Sequence, residues 1–289
     1  MRKNGLLNLF LSRGKWVPGK PPYALISLYY LGFYDLLALH VPASQIVRRS
    51  PHPEMTNSEK IKSSLKVSVI IPTYDESTTL AETLTRLSPY RPFETIIGDG
   101  GSEDDTTDIA RHFEVRVVQS QRGRAAQMNA AAAEAKGDLL LFLHADSYID
   151  PQGYQKMIET MTRGHYLGGA FSLQIDSPLP ALKRIARWAN WRSRYLNLVY
   201  GDQGIFVRRE IFNELKGFSP LPICEDLDFF RRLKNRGAVI LLKEKAFTSP
   251  RRWLSEGVGF TTFRNIAIVF LFLIGFSPAT LGRWYPPKR

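Results

Sequence analysis

The chain carries one cysteine, Cys224, in 289 residues. That excludes an internal disulfide framework and a cysteine-rich metal site, and it fits a reducing, cytoplasmic compartment. Long hydrophobic runs are scarce as well. The N-terminal LLNLFL is too short for a signal peptide and is followed by no small-residue cleavage pattern. Residues 23–40 approach spanning length but include Gly32, Asp35 and several tyrosines, and residues 266–276 are too few to cross a bilayer. Both read as buried or interface-lying helices, which points to a peripheral place on the inner face of a membrane rather than a span.

Negative charge is also in short supply. There are 27 Asp and Glu against 39 Lys and Arg, a formal net charge of +12, so the partner is expected to be anionic. The basic residues form no single block; they cluster as QRGRAAQ, RIARWANWRSR, FFRRLKNR and SPRRW. No helix-turn-helix, zinc or RNA-recognition pattern accompanies them, so nucleic acid is not the expected partner. The Trp–Arg interleaving of the second cluster suits an interfacial helix instead. Two nucleotide signatures are missing: the G-x-G-x-x-G dinucleotide fingerprint and the G-x-x-x-x-G-K-[ST] loop.

What is present begins at about residue 66. Residues 1–65 read as an aromatic, apolar appendage with a Pro-, Ser- and Lys-rich linker, GKWVPGKPPY and RRSPHPEMTNSEKIKSS flanking the apolar segment. From Val67 onward, β-branched runs alternate with helical ones: VSVIIP, STTLAETLTRL, FETIIGD, SEDDTTDIARHF, VRVVQS, RGRAAQMNAAAAEAKG, DLLLFLHAD. Such alternation with short connections predicts a doubly wound, mainly parallel sheet flanked by helices. Residues 66–150 form its first half. Residues 151–289 are looser: a helix from Pro151, an extended LGGAFSLQI, a basic aromatic helix over 179–198, GDQGIFVRR, a helix from Cys224, a strand AVILL and a final apolar helix.

Polar residues gather at the predicted strand ends, where open α/β sheets bind ligands. The run LLLFLHAD ends on Asp146, which either caps the next helix or meets a ligand. Tyr74 and Glu76 follow Pro72 in IPTYDES; an aromatic face and a carboxylate there could hold a nucleobase, although Pro, Thr and Asp also make ordinary turns. Asp99 precedes Gly100, Gly101 and Ser102, residues that permit close backbone approach and a helix cap. Arg122 and Arg124 stand at a helix N-terminus, where cations oppose the dipole and an anion would relieve them. Glu225, Asp226 and Asp228 crowd another helix start; Asp228 reads as dipole compensation, while the adjacent pair can be driven apart in pKa to supply a base.

VSVIIPTYDE, IIGDGGSEDDT, GRAAQMNAA, LLFLHAD, GDQGIFVRR, EDLDFFRRL and SPRRW, in that order, resemble the family-two inverting glycosyltransferases of GT-A fold. Within them they most resemble the arsenosugar-biosynthesis branch, associated with radical-SAM and selenium-domain genes. The resemblance implies that Pro72, Tyr74, Glu76 and Asp99 hold the base and ribose of a nucleotide-diphosphate sugar, and that Arg124 faces the diphosphate. It implies that Asp146, the last carboxylate of a D-x-D motif, binds Mn²⁺ or Mg²⁺, and that Asp226 is the base, with Glu225 beside it. Gln203 would lie on the acceptor side, and Arg251, Arg252 and Trp253 would close over the diphosphate. His144 replaces the first D-x-D carboxylate and reads as a packing residue. The implied reaction passes a sugar to a hydroxyl or carboxyl of an acceptor, small or amphiphilic. The alternative is a silent nucleotide-sugar-binding protein at a membrane surface.

Overall fold

The structure, a computed structural model, describes residues 65–285. The appendage expected over residues 1–65 therefore lies, Leu65 apart, outside the described residues, as does the apolar segment 23–40.

The first half follows the alternation. Strands β1 (Val67–Thr73), β2 (Glu94–Asp99), β3 (Arg116–Gln119) and β4 (Leu139–Phe142) are linked by helices α1 (Ser77–Leu87), α2 (Thr106–His112) and α3 (Arg124–Ala133). β1 is buried along its whole length, as a strand covered on both faces must be. Its side chains alternate between two cores. Val69 and Ile71 pack with Leu80 and Leu84 of α1, whereas Ile70 packs with Ala125, Met128 and Ala131 of α3.

The second half adds β5 (Ser147–Ile149), α4 (Pro151–Arg163), β6 (Gly168–Ile175), α5 (Pro180–Leu196), β7 (Ile205–Arg208), α6 (Arg209–Glu214), α7 (Glu225–Arg236), β8 (Val239–Thr248), α8 (Arg251–Glu256), α9 (Val258–Leu273) and α10 (Pro278–Gly282). Among the described residues one eight-stranded sheet runs β3-β2-β1-β4-β7-β6-β8-β5. Pairs β1–β2, β1–β4, β2–β3 and β6–β8 are parallel; β4–β7, β6–β7 and β5–β8 are antiparallel. The sheet is thus less uniformly parallel than its sequence suggests. Two strands also differ from expectation. After Asp146 the chain makes β5 rather than turning directly into a helix, because Ser147–Ile149 pair with Thr248–Ala246 of β8. β8 itself covers ten residues and not the five of AVILL, since β5 and β6 both complete its ladder.

α3 lies so close to β2 that a Cβ on Gly98 would fall 2.3 Å from the Gln127 carbonyl oxygen. This contact sets the N-terminus of α3 against the strand ends. Gly98→Ala should therefore destabilise the protein by about 1–3 kcal/mol, read as a lower urea midpoint; an unchanged midpoint would show that α3 stands further off.

Candidate active site

At the carboxyl ends of β1 and β4 opens a cavity of about 650 Å³. Pro72, Tyr74 and Glu76 reach it from β1, His144 and Asp146 from β4, Arg124 from the start of α3, Glu225 and Asp226 from the start of α7, and Arg251, Arg252 and Trp253 from α8. The turn before α1 is shaped by Asp75 at φ 51°, a left-handed conformation that Asp tolerates. Its backbone N–H donates to Ser102 Oγ at 3.0 Å and its carboxylate accepts from the Glu103 N–H at 2.9 Å. Cys224, also left-handed at φ 63°, turns the chain into α7.

Arg251 ties two of these strand ends together. Its Nε donates to Asp146 Oδ2 at 2.9 Å and its terminal nitrogen to Glu76 Oε1 at 2.7 Å. Arg122 lies 4.0 Å from the centroid of the Tyr74 ring, covering one face expected to meet a nucleobase. Arg252 stands 4.3 Å over the Tyr285 ring and 3.7 Å from Glu256.

The acids sit in different surroundings. Asp226 sits in the first turn of α7, where the helix dipole favours a carboxylate. Its Oδ2 accepts the Gly201 N–H at 2.5 Å and its Oδ1 the Leu227 N–H at 2.7 Å. Glu225 beside it is buried; burial first, then the Asp226 charge, raise its pKa, against Arg124. Asp202 is raised to about 6, chiefly by burial and further by Asp226 and Asp146, against Arg192 and Arg124. Burial and the cations Arg124 and Arg251 hold His144 far below its ordinary value, against Asp146, so its imidazole is neutral at physiological pH.

Two expected residues stand elsewhere. Asp99 is fully buried and its carboxylate is consumed by the loop that follows it: it accepts from Thr73 Oγ1 and Gly101 N at 3.0 Å, Ser102 N at 2.9 Å and Ser102 Oγ at 2.5 Å. It braces the loop rather than facing the cavity. Gln203 is likewise buried; its amide donates to the Phe171 carbonyl at 3.1 Å and accepts from Ser193 Oγ at 2.7 Å. It fastens a 3₁₀ turn, Gly201–Gln203, that aims its neighbour Asp202 at the cavity. Asp202 is therefore the residue that GDQG contributes, and its Oδ1 has no hydrogen-bond partner. Trp253 Nε1 and Asn265 Oδ1, also in cavity-lining residues, are buried without partners too. Part of the wall, Ile268, Val269 and Tyr285, comes from α9 and the chain beyond α10, a contribution that no local motif announces.

The cavity can also be tested as a cation site. Asp146 and the neutral His144 are its oxygen and nitrogen donors at the end of β4. Hard cations bound through one carboxylate complete their shell with substrate phosphate oxygens and water. Among the described residues no three His, Cys, Asp or Glu side chains form a cluster of their own that could hold a metal. The protein alone thus offers an incomplete site, in which Asp146 would need phosphate oxygens and water as partners and release from Arg251.

Comparison with known proteins gives this geometry a family context. The model described as Glycosyl transferase family 2 matches residues 68–215, just over half of the chain. An undecaprenyl-phosphate 4-deoxy-4-formamido-L-arabinose transferase of Pseudomonas aeruginosa (strain LESB58) is 28% identical over 145 residues, 46% of this chain and 40% of the relative. Glycosyltransferase AglE of Haloferax volcanii is 26% identical over 168 residues, 53% of this chain and 55% of the relative. The chain thus spans roughly half or less of these relatives' lengths. Staphylococcus aureus TarS 1-349 superposes with a TM-score of 0.53 at 20% identity, covering 72% of this chain and 66% of that one. Its complex with UDP-GlcNAc gives 0.52 at 19% identity over 64% and 58%. The structural likeness establishes a GT-A-like fold.

The raised pKa of Asp202 has a measurable consequence. An acid whose folded-state pKa lies above its ordinary value of about 4 stabilises most below that value, and the contribution is lost as pH rises through the folded pKa. Asp202→Asn should gain on the native protein by on the order of 1–2 kcal/mol between pH 4 and 7, read from urea midpoints across that range. A pH-independent difference would place Asp202 in contact with solvent.

Proposed function

The chain belongs to glycosyl transferase family 2, and on that premise we propose that it moves a sugar from a nucleoside-diphosphate donor to an acceptor hydroxyl with inversion at the anomeric carbon. The observation that carries this reading is the fixing of Asp226 by the Gly201 N–H in a cavity that also gathers Arg124, Arg251 and Arg252. The acceptor oxygen attacks the anomeric carbon as its proton passes to Asp226. The bond from that carbon to the diphosphate breaks, and the electron pair leaves with the nucleoside diphosphate. Arg124, Arg251 and Arg252 stabilise the negative charge that develops there. Glu225, kept protonated more readily than an ordinary carboxyl, stays beside Asp226 without adding a second full charge.

Tyr74, Glu76 and Pro72 would hold the base and ribose. Mn²⁺ or Mg²⁺ would be held by Asp146 with the imidazole of His144 alongside, supplying charge to the leaving diphosphate. Asp202 Oδ1, Asn265 Oδ1 and Trp253 Nε1, which lack partners, offer two acceptors and one donor to sugar or acceptor hydroxyls. A carboxyl acceptor would need no base, whereas the placement of Asp226 supports a hydroxyl.

Two substitutions separate the roles. Asp226→Asn should lower kcat by about 10²–10⁴-fold while leaving nucleoside-diphosphate affinity within a few fold, measured by calorimetry; equal loss of both would remove Asp226 as base. Asp146→Ala should weaken UDP binding in the presence of Mn²⁺ by about tenfold or more and lose the difference between Mn²⁺ and chelator. UDP binding that responds to Mn²⁺ as before would free Asp146 from that role.

A further inference from the structure

We propose that the neighbouring outer faces of α5 and α9 dock this protein onto an anionic lipid bilayer. The inner face of α9 is spent on the protein: Thr261, Arg264 and Ile268 are buried, and Asn265, Ile268 and Val269 line the cavity. Its outer face is not. Phe260, Phe270 and Ile274 are each more than half exposed, and Leu273 and Phe276 join them. From residue 257 to 282 the only charged side chain is Arg264, buried and 2.5 Å from Glu256. Scattered surface apolar residues are ordinary, but a contiguous charge-free stripe marks an interaction surface.

α5 supplies the complementary half. Leu182, Ala186, Ala189 and Ser193 face inward, while Arg184, Arg187, Trp191, Arg194 and Tyr195 are exposed at helical spacing. No acidic residue occurs between Asp176 and Asp202. The two helices touch: Val258 at the start of α9 joins the apolar cluster that holds Leu182, Ala186 and Ala189, and Leu198 just beyond α5 joins the one that holds Ile268. Apolar aromatics beside arginines and interfacial Trp and Tyr fit the headgroup region of a bilayer with anionic lipid. A second copy of the chain would bring the same positive charge to the contact and be repelled.

The test is flotation of the full chain with phosphatidylcholine vesicles, with and without phosphatidylglycerol. Binding should rise about tenfold or more with phosphatidylglycerol. Phe270→Glu/Ile274→Glu should lose binding to both vesicle types, and Arg187→Glu/Arg194→Glu should lose only the increment due to phosphatidylglycerol. These side chains are exposed, so urea midpoints should match the native protein; if the first variant is misfolded, Phe276→Glu serves in its place. Failure of the native chain to float, or native-like flotation of both variants, overturns the proposal, as does a dimer by light scattering that the α9 variant abolishes without any vesicle binding. Vesicle binding requires no sugar transfer, so its outcome is separate from that of the Asp226 experiment.

Discussion

The double ion pair of Arg251 is the contact on which the site depends. Glu76 and Asp146 arrive from different strands and both lie under protein, with side chains 18% and 13% exposed. Two carboxylates drawn out of water toward one cavity repel each other and lose hydration, a cost that only a well-placed counter-charge offsets. The planar guanidinium can donate to both at once, which a lysine ammonium could not do with the same geometry. The pairing also anchors α8, and through it α9, over the strand ends. A ligand-free cavity is thereby kept near charge balance. On the function proposed above, the oxygens of an entering diphosphate would compete for the same guanidinium and free a lone pair of Asp146 toward a cation.

A second consequence of crowding charge is the separation of the acids by environment. Asp226 accepts two backbone N–H groups at a helix N-terminus. Glu225, one residue earlier, is buried and meets its neighbour's charge; Asp202 is pushed up by burial in the same way. Burial thus makes Glu225 and Asp202 hold a proton more readily than an ordinary carboxyl. His144 completes the pattern. Replacing a carboxylate at this strand end with an imidazole kept neutral removes one negative charge from a cavity that already holds Asp146, Asp202 and Asp226.

Much of this was legible in the sequence because strand ends are punctuated locally. Pro72 lies near the end of β1 and an apolar run stops at the HAD that follows β4. Local pattern thus put Tyr74, Glu76 and Asp146 near strand ends and Glu225–Asp226 at the head of α7, where they line one cavity. Their roles came from the family resemblance and not from the pattern. Asp99 shows where local pattern stops, because an acid at a strand end looks the same whether it faces a ligand or its own loop; here four donors from Thr73, Gly101 and Ser102 bind its carboxylate. At GDQG the residue lining the cavity is Asp202, next to the expected Gln203. A 3₁₀ turn sends adjacent side chains in different directions, and Gln203 takes the inward one, towards Ser193 and Phe171, leaving the outward one to Asp202. β5 and the length of β8 depend on each other across about a hundred residues, a pairing that no local window contains.

The composition of α9 raises a question that folding alone does not answer. Thr261, Arg264 and Ile268 are buried and Val258, Val269, Leu271 and Phe272 pack inward, yet the side that the described protein leaves open is apolar as well. Exchanging outward phenylalanines for Lys or Glu would cost the packed side nothing and would lower the risk of association. Fold stability therefore gives no reason for Phe260, Phe270 and Ile274, and a contact outside the described residues does. Because the opposite side of the same helix supplies Asn265, Ile268 and Val269 to the cavity wall, a surface bound by the outer side bears directly on the helix that walls the cavity. The helix thus joins a surface contact to the chemistry through a single rigid element, with no requirement for a mobile loop between them.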